Sequence, residues 1–142
     1  MSYKNDFKNC LDGLFESLCD VSDWMYENPE LGFEEFKTSK YLVDYIQKNS
    51  KSVNYPSHGL ETAFDITFGE EGPLTVICVE YDALPEIGHA CGHNIIATAS
   101  IGAGLGLKDI ASKLGIRVKL LGTPAEEGCL LYTSDAADEA IG

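Results

Sequence analysis

Long apolar runs are missing from this 142-residue chain, which has nothing near the about 18 consecutive apolar residues of a membrane span. The opening Met1-Ser2-Tyr3-Lys4-Asn5-Asp6 lacks the apolar core of a secretory signal, so the expected compartment is the cytoplasm. Basic residues are scarce: 10 Lys and Arg stand against 23 Asp and Glu, a formal charge of −13. No basic stripe remains to neutralise phosphates or an anionic bilayer, and neither nucleic acid nor a membrane is an expected partner. The five cysteines are an odd number without close-set pairs, which excludes a disulfide framework from the expectation. Repeats, low-complexity blocks and interdomain linkers are absent through residue 128.

What is present suffices for one core: 44% of the residues are apolar, in a length typical of one domain or a piece of one. Phe7, Cys10, Leu11, Leu14, Phe15, Leu18, Val21, Trp24 and Met25 recur at the spacing of one helix face. They predict a helix packed on a core, with Trp24 inside it, ended at Asn28-Pro29 because the proline disfavours helical geometry before it. Phe36 to Ile46 reads as a second, amphipathic helix. Thr62 to Phe68 reads as a strand. The β-branched run Leu74 to Val79 reads as a central strand covered on both faces, with Cys78 as a small buried hydrophobe. Asn94 is expected to cap a helix from Ile95 to about Leu107, and Arg117 to Leu121 is expected as the next strand, parallel to the last. The order α, α, β, β, α, β predicts an α/β layered fold. Gly102, Gly104 and Gly106 resemble a dinucleotide loop only superficially, since they fall inside a helical pattern.

Two polar clusters follow predicted strands, at the rim where open parallel sheets bind ligands. One runs from Glu80-Tyr81-Asp82 to His89, Cys91, Gly92, His93 and Asn94; the other is Thr123-Pro124-Ala125-Glu126-Glu127-Gly128. Thiolate, imidazole and carboxylate are the ligands of zinc and related metals, and Gly92 lets Cys91 and His93 face one point. Alone, that tripeptide reads equally as a buried thiol beside a capping loop. Glu126 and Glu127, on an extended segment, would diverge, so that one binds metal while the other holds a proton; a solvated acidic turn is the alternative. Asp82 is either a carboxylate that orients a ligand or a turn residue before Pro85. His89 reads as a pocket-shaping or capping residue and His58 as an ordinary loop residue.

Tyr81-Asp82-Ala83-Leu84-Pro85, His89-Ala90-Cys91-Gly92-His93-Asn94 and Thr123 to Gly128, with Asn28-Pro29-Glu30-Leu31-Gly32-Phe33-Glu34-Glu35 upstream, together resemble the co-catalytic metallopeptidases related to aminoacylase, hippurate hydrolase and p-aminobenzoyl-glutamate hydrolase. The resemblance runs from about Ser22 to Gly128. It implies an α/β zinc-peptidase catalytic domain, a parallel-rich sheet flanked by helices. It also implies that Cys91, His93 and Glu127 are metal ligands, Glu126 the general base and Asp82 the orienting residue. Asn94, where other branches carry Asp, is similar to the branch of p-aminobenzoyl-glutamate hydrolases and β-alanyl dipeptidases. The activity implied is hydrolysis of N-acyl amino acids or dipeptides by a hydroxide held between two divalent ions, zinc or manganese.

Such a site needs more ligands than the three good ones found here, and the family supplies the rest downstream, beyond a lid and dimerisation domain absent from this chain. Residues 1–128 are therefore expected to be the N-terminal part of a catalytic domain, itself inactive and poorly soluble, from a homodimeric enzyme. Residues 129–142, which begin Cys129-Leu130-Leu131-Tyr132-Thr133-Ser134, resemble the translation of a sequencing adapter and are expected to be a non-native tail. The competing reading is a non-catalytic, metal- or partner-binding remnant.

Overall fold

The apolar steps from Phe7 to Met25 do form a helix, α1 (Tyr3–Glu27), which buries Leu18, Val21 and Met25. The computed structural model describes residues 2–128, so the expected tail, 129–142, lies outside the described residues. Asn28 closes α1 as expected, its side-chain amide donating to the Trp24 carbonyl at 2.8 Å. Trp24 is half-buried and stacks on Tyr41 with ring centroids 4.2 Å apart. That contact ties α1 to α2 (Phe36–Asn49). The first turn of α2 is capped from upstream: the Glu30 carboxylate accepts from Thr38 N at 2.7 Å, from Thr38 Oγ1 at 2.8 Å and from Lys37 N at 3.3 Å. Donors that a helix start leaves without intrahelical partners are thus satisfied.

Three strands follow: β1 (Phe64–Phe68), β2 (Leu74–Glu80) and, after α3 (His93–Leu107) and the short α4 (Ala111–Leu114), β3 (Arg117–Thr123). The order across the sheet is β1-β3-β2. β2 runs parallel to β3, pairing Ile77 with Leu120, as the strand–helix–strand pattern predicts. β1 runs antiparallel to β3, pairing Ile66 with Leu120. The fold is α/β as expected, with a mixed sheet in place of a parallel-rich one. The central strand is β3, not β2. Among the described residues β2 pairs on one side only, and its outward residues meet no covering layer, leaving Leu74 43% and Val76 45% exposed. Cys78 is likewise exposed, not buried.

α3 packs against β2 and β3 and also against α1. Its glycines explain how it lies so close to both. A Cβ on Gly104 would come within 2.5 Å of Leu120 Cδ2, and one on Gly106 within 2.6 Å of the Phe7 ring. The glycine series is thus a packing surface within a helix. Leu120, Leu105, Ile101, Phe64 and Val118 form the core beneath it; each such side chain, once buried, contributes about 1.5–3 kcal/mol. Asn94 does not cap α3. Gly92 holds that position with φ 86°, and the Asn94 amide donates instead to Ser22 Oγ at 3.0 Å, because the helix starts earlier than expected, at His93. No helix among the described residues is long and apolar enough to cross a membrane.

Candidate metal centre

The carboxyl ends of the parallel strands β2 and β3 lie side by side, with Glu80 opposite Thr123, and the start of α3 closes the same rim. Gly92 takes a left-handed φ of 86° between Cys91 and His93, a conformation glycine adopts without strain. Across from them the chain leaves β3 through Thr123-Pro124 and reaches Ala125 at φ 55°. Residues 126–128 are then helical, not extended. Glu126 and Glu127 therefore reach the same imidazole, where an extended segment would have sent them apart.

His93 is the hub. Its ring is almost fully buried, and Nδ1 lies 2.8 Å from the Asp82 carbonyl oxygen. A carbonyl can only accept, so Nδ1 carries a proton and Nε2 is the nitrogen turned toward the carboxylates. Around Nε2 stand Glu126 Oε2 at 3.5 Å, Glu80 Oε2 at 3.7 Å and Glu127 Oε1 at 3.7 Å. Among the described residues no lysine or arginine pairs with these three carboxylates. Two donor sets share the imidazole: Cys91, His93 and Glu127, and Glu80, His93 and Glu126, the ligand atoms of each set lying within 4.8 Å of one another.

Electrostatics mark the same spot. Burial, and next the neighbouring Glu80 carboxylate, push the Glu126 carboxyl above its ordinary value. Burial raises the Cys91 thiol, and the Glu127 carboxylate adds to that, against a backbone hydrogen bond from His93. Both shifts belong to a crowd of electron-rich groups, with the His93 charge pulling the Glu126 carboxyl the other way. A tetrahedral ion with bonds of about 2.0–2.3 Å brings its donors within roughly 4 Å of each other, so either set fits such an ion with small side-chain adjustments. One ion bound there would relieve the crowding.

Asp82 is buried, and the structure puts it beneath this hub. Its Oδ1 lies 3.0 Å from His93 Nδ1, yet the Nδ1–H is directed at the carbonyl, leaving Oδ1 without a hydrogen bond. Oδ2 accepts the Glu127 backbone N–H at 3.2 Å. All five residues singled out from the sequence, Cys91, His93, Glu127, Glu126 and Asp82, are thus brought together. Glu80 joins them without having been assigned a role; its place at the end of a strand before Asp82 was the available signal. His89 is buried with neither ring nitrogen hydrogen-bonded, and burial, then His93, lowers its pKa. His58 is a loop residue at φ 54°, with Nε2 3.2 Å from Asp65 Oδ2.

No family model matches the chain. It is 35% identical over 131 residues to the Xaa-Arg dipeptidase of Mus musculus, covering 82% of this chain and 30% of the relative. It is 30% identical to a p-aminobenzoyl-glutamate hydrolase chain of Escherichia coli strain K12, covering 77% of this chain and 27% of that one. A crystal structure from Bacillus subtilis, described as a dinuclear metal-binding peptidase of the M20 family, superposes with a TM-score of 0.70 at 26% identity, over 82% of this chain and 36% of that one. Both of these curated relatives are named for cleaving dipeptides or p-aminobenzoyl-glutamate. The chain is homologous to the M20 peptidases and matches part of their catalytic domain. It spans about a third of the length of the relatives it matches.

Proposed function

We propose that the full-length protein hydrolyses the amide bond of dipeptides or N-acyl amino acids with two divalent ions, zinc or manganese. The observation that carries this is His93 Nε2, ringed by three carboxylates and set beside Cys91, so that donors for one ion converge on it and Glu80 stands next to them. Similarity to a dipeptidase and to an aminobenzoyl-glutamate hydrolase supports the substrate class.

Cys91, His93 and Glu127 would hold one ion, and Glu80 is the donor this chain offers toward a second. Bound there, the ions would supply Lewis acidity. The remaining work falls to this chain. Glu126, with its carboxyl raised, would accept a proton from the attacking water and pass it to the leaving amine. Asp82 fixes the His93 ring through its carbonyl and the Glu127 backbone through Oδ2, so one buried residue orients two ligands. Residues 1–128 serve as part of the catalytic domain. The rest of the ligand set, a lid and a dimer interface come from other parts of the protein, and residues 129–142 are a non-native tail. Sequencing the locus beyond Gly128 tests that last point: a native transcript encoding Cys129 to Gly142 contradicts it.

The functional test is to express the full-length protein, measure its metal content and assay dipeptides and N-acyl amino acids before and after chelation. About two ions per chain, and hydrolysis lost on chelation and restored by zinc or manganese, are expected. Full activity in the metal-free protein contradicts the proposal, and metal uptake without turnover on any such substrate favours a binding module.

A further inference from the structure

The early motif ends in a fully buried carboxylate that the metal centre does not use. Glu35 is 0% exposed, and among the described residues no basic side chain pairs with it. Burying an acid without a cation is costly unless its oxygens are hydrogen-bonded, and both are. Oε1 accepts the backbone N–H of Ala125 at 2.8 Å, across 90 residues of sequence. Oε2 accepts Thr62 Oγ1 at 3.1 Å, and the Thr62 carbonyl is in turn held by the Tyr81 hydroxyl at 2.7 Å.

Ala125 is where the backbone is strained. Its φ of 55° is sparsely populated for a residue with a Cβ and persists only when the surroundings impose it. Glu35 imposes it from one side. From another, Gly32 lies so close that a Cβ there would meet Ala125 Cβ at 2.8 Å. Two residues further on, the Glu127 N–H is tied to Asp82 Oδ2 at 3.2 Å. Two buried carboxylates, Glu35 and Asp82, thus hold the backbone on either side of Glu126.

We infer that Glu35 is a positioning residue for Glu126 and Glu127, acting through the Ala125 N–H. The inference rests on the hydrolase reading above. The side chain touches neither substrate nor metal; it sets the turn from which base and ligand project. What it must supply is an acceptor at Oε1, which an amide also supplies and a hydrocarbon does not.

The experiment compares Glu35→Gln and Glu35→Leu in the full-length, metal-loaded protein, with Glu126→Gln alongside, reading kcat, KM, metal content and thermal unfolding. Glu35→Gln should keep kcat within about threefold, because its carbonyl still accepts from Ala125. Glu35→Leu should lower kcat by about 10- to 100-fold with KM within about threefold, at a temperature where both variants are folded. If leucine prevents folding, Glu35→Met, flexible enough to fill the same space, carries the same expectation. Full kcat in the apolar variant overturns the inference, and so do equal losses in the glutamine and apolar variants. Activity surviving in Glu126→Gln overturns the hydrolase reading instead, whereas its loss alongside an unimpaired Glu35→Leu overturns only the role of Glu35.

Discussion

His93 Nδ1 sits 2.8 Å from the carbonyl oxygen of Asp82, so one buried residue decides which nitrogen of the imidazole faces the carboxylates. The Asp82 carboxylate adds a second hold, on the Glu127 N–H. Replacing Asp82 with Ala in the full-length protein keeps the carbonyl but releases Glu127. Metal affinity should fall by about 10- to 100-fold, the usual cost of losing such an orienting group, and Asp82→Asn, which keeps an acceptor, should lose less. Competition with a chromophoric chelator measures both; equal affinity in Asp82→Ala and wild type contradicts the assignment.

Glu35 also gives the fold a pH signature. Burial pushes its carboxyl above the ordinary value of 4.5, against the hydrogen bonds from Ala125 and Thr62. The folded state therefore binds that proton more tightly than the unfolded chain. The resulting stabilisation is full below 4.5 and is lost as pH rises through the raised folded value. Glu35→Gln removes the titration. In metal-free protein its melting temperature relative to wild type should improve as pH rises from 4.5 through the raised folded value, and parallel melting curves above pH 4.5 would sink the expectation.

Gly104 is held small by Leu120, whose Cδ2, Cγ and Cδ1 would lie 2.5, 2.6 and 2.7 Å from an added Cβ. Alanine in place of glycine helps a helix by about 1 kcal/mol, but overpacking of this kind costs about 1–3 kcal/mol. The clash includes Cγ, which cannot swing away as a side-chain tip can, so Gly104→Ala should be net destabilising, by up to about 2 kcal/mol. Denaturant unfolding reads it directly; a stabilised variant means α3 is packed less tightly on β3.

The open edge of β2 bears on solubility. Val76 is 45% exposed and lies opposite Lys119 in the parallel register. Exposed apolar edges recruit other chains, so residues 1–142 alone should self-associate. Val76→Glu places a charge on that edge beside a lysine and should lower the aggregated fraction at equal concentration in light scattering. Unchanged scattering would locate the association elsewhere.

Much of the fold was legible because its signals are local. α1 and α2 follow from apolar spacing, α3 was placed from an expected start at Asn94, and β3 and its parallel pairing with β2 follow from a strand–helix–strand order. The rank of β2 in the sheet was not legible. Leu74 to Val79 states that an apolar strand needs cover, but not which segment supplies it. Cys91, His93, Glu126 and Glu127 announced themselves by ligand type and by their place after strands. Glu35 and Glu80 did not, because their roles depend on contacts made only in the tertiary fold, 90 residues apart for Glu35 and Ala125. The cap on α3 was misassigned to Asn94 because its amide has a partner, Ser22, 72 residues away.

The most direct test is Glu126→Gln in the full-length protein, with metal content and turnover measured on the same sample. The expected result is unchanged occupancy of the set formed by Cys91, His93 and Glu127, with hydrolysis of dipeptides and N-acyl amino acids reduced by about 100- to 10,000-fold, as for loss of a general base. Turnover near the wild-type rate with metal still bound would contradict it.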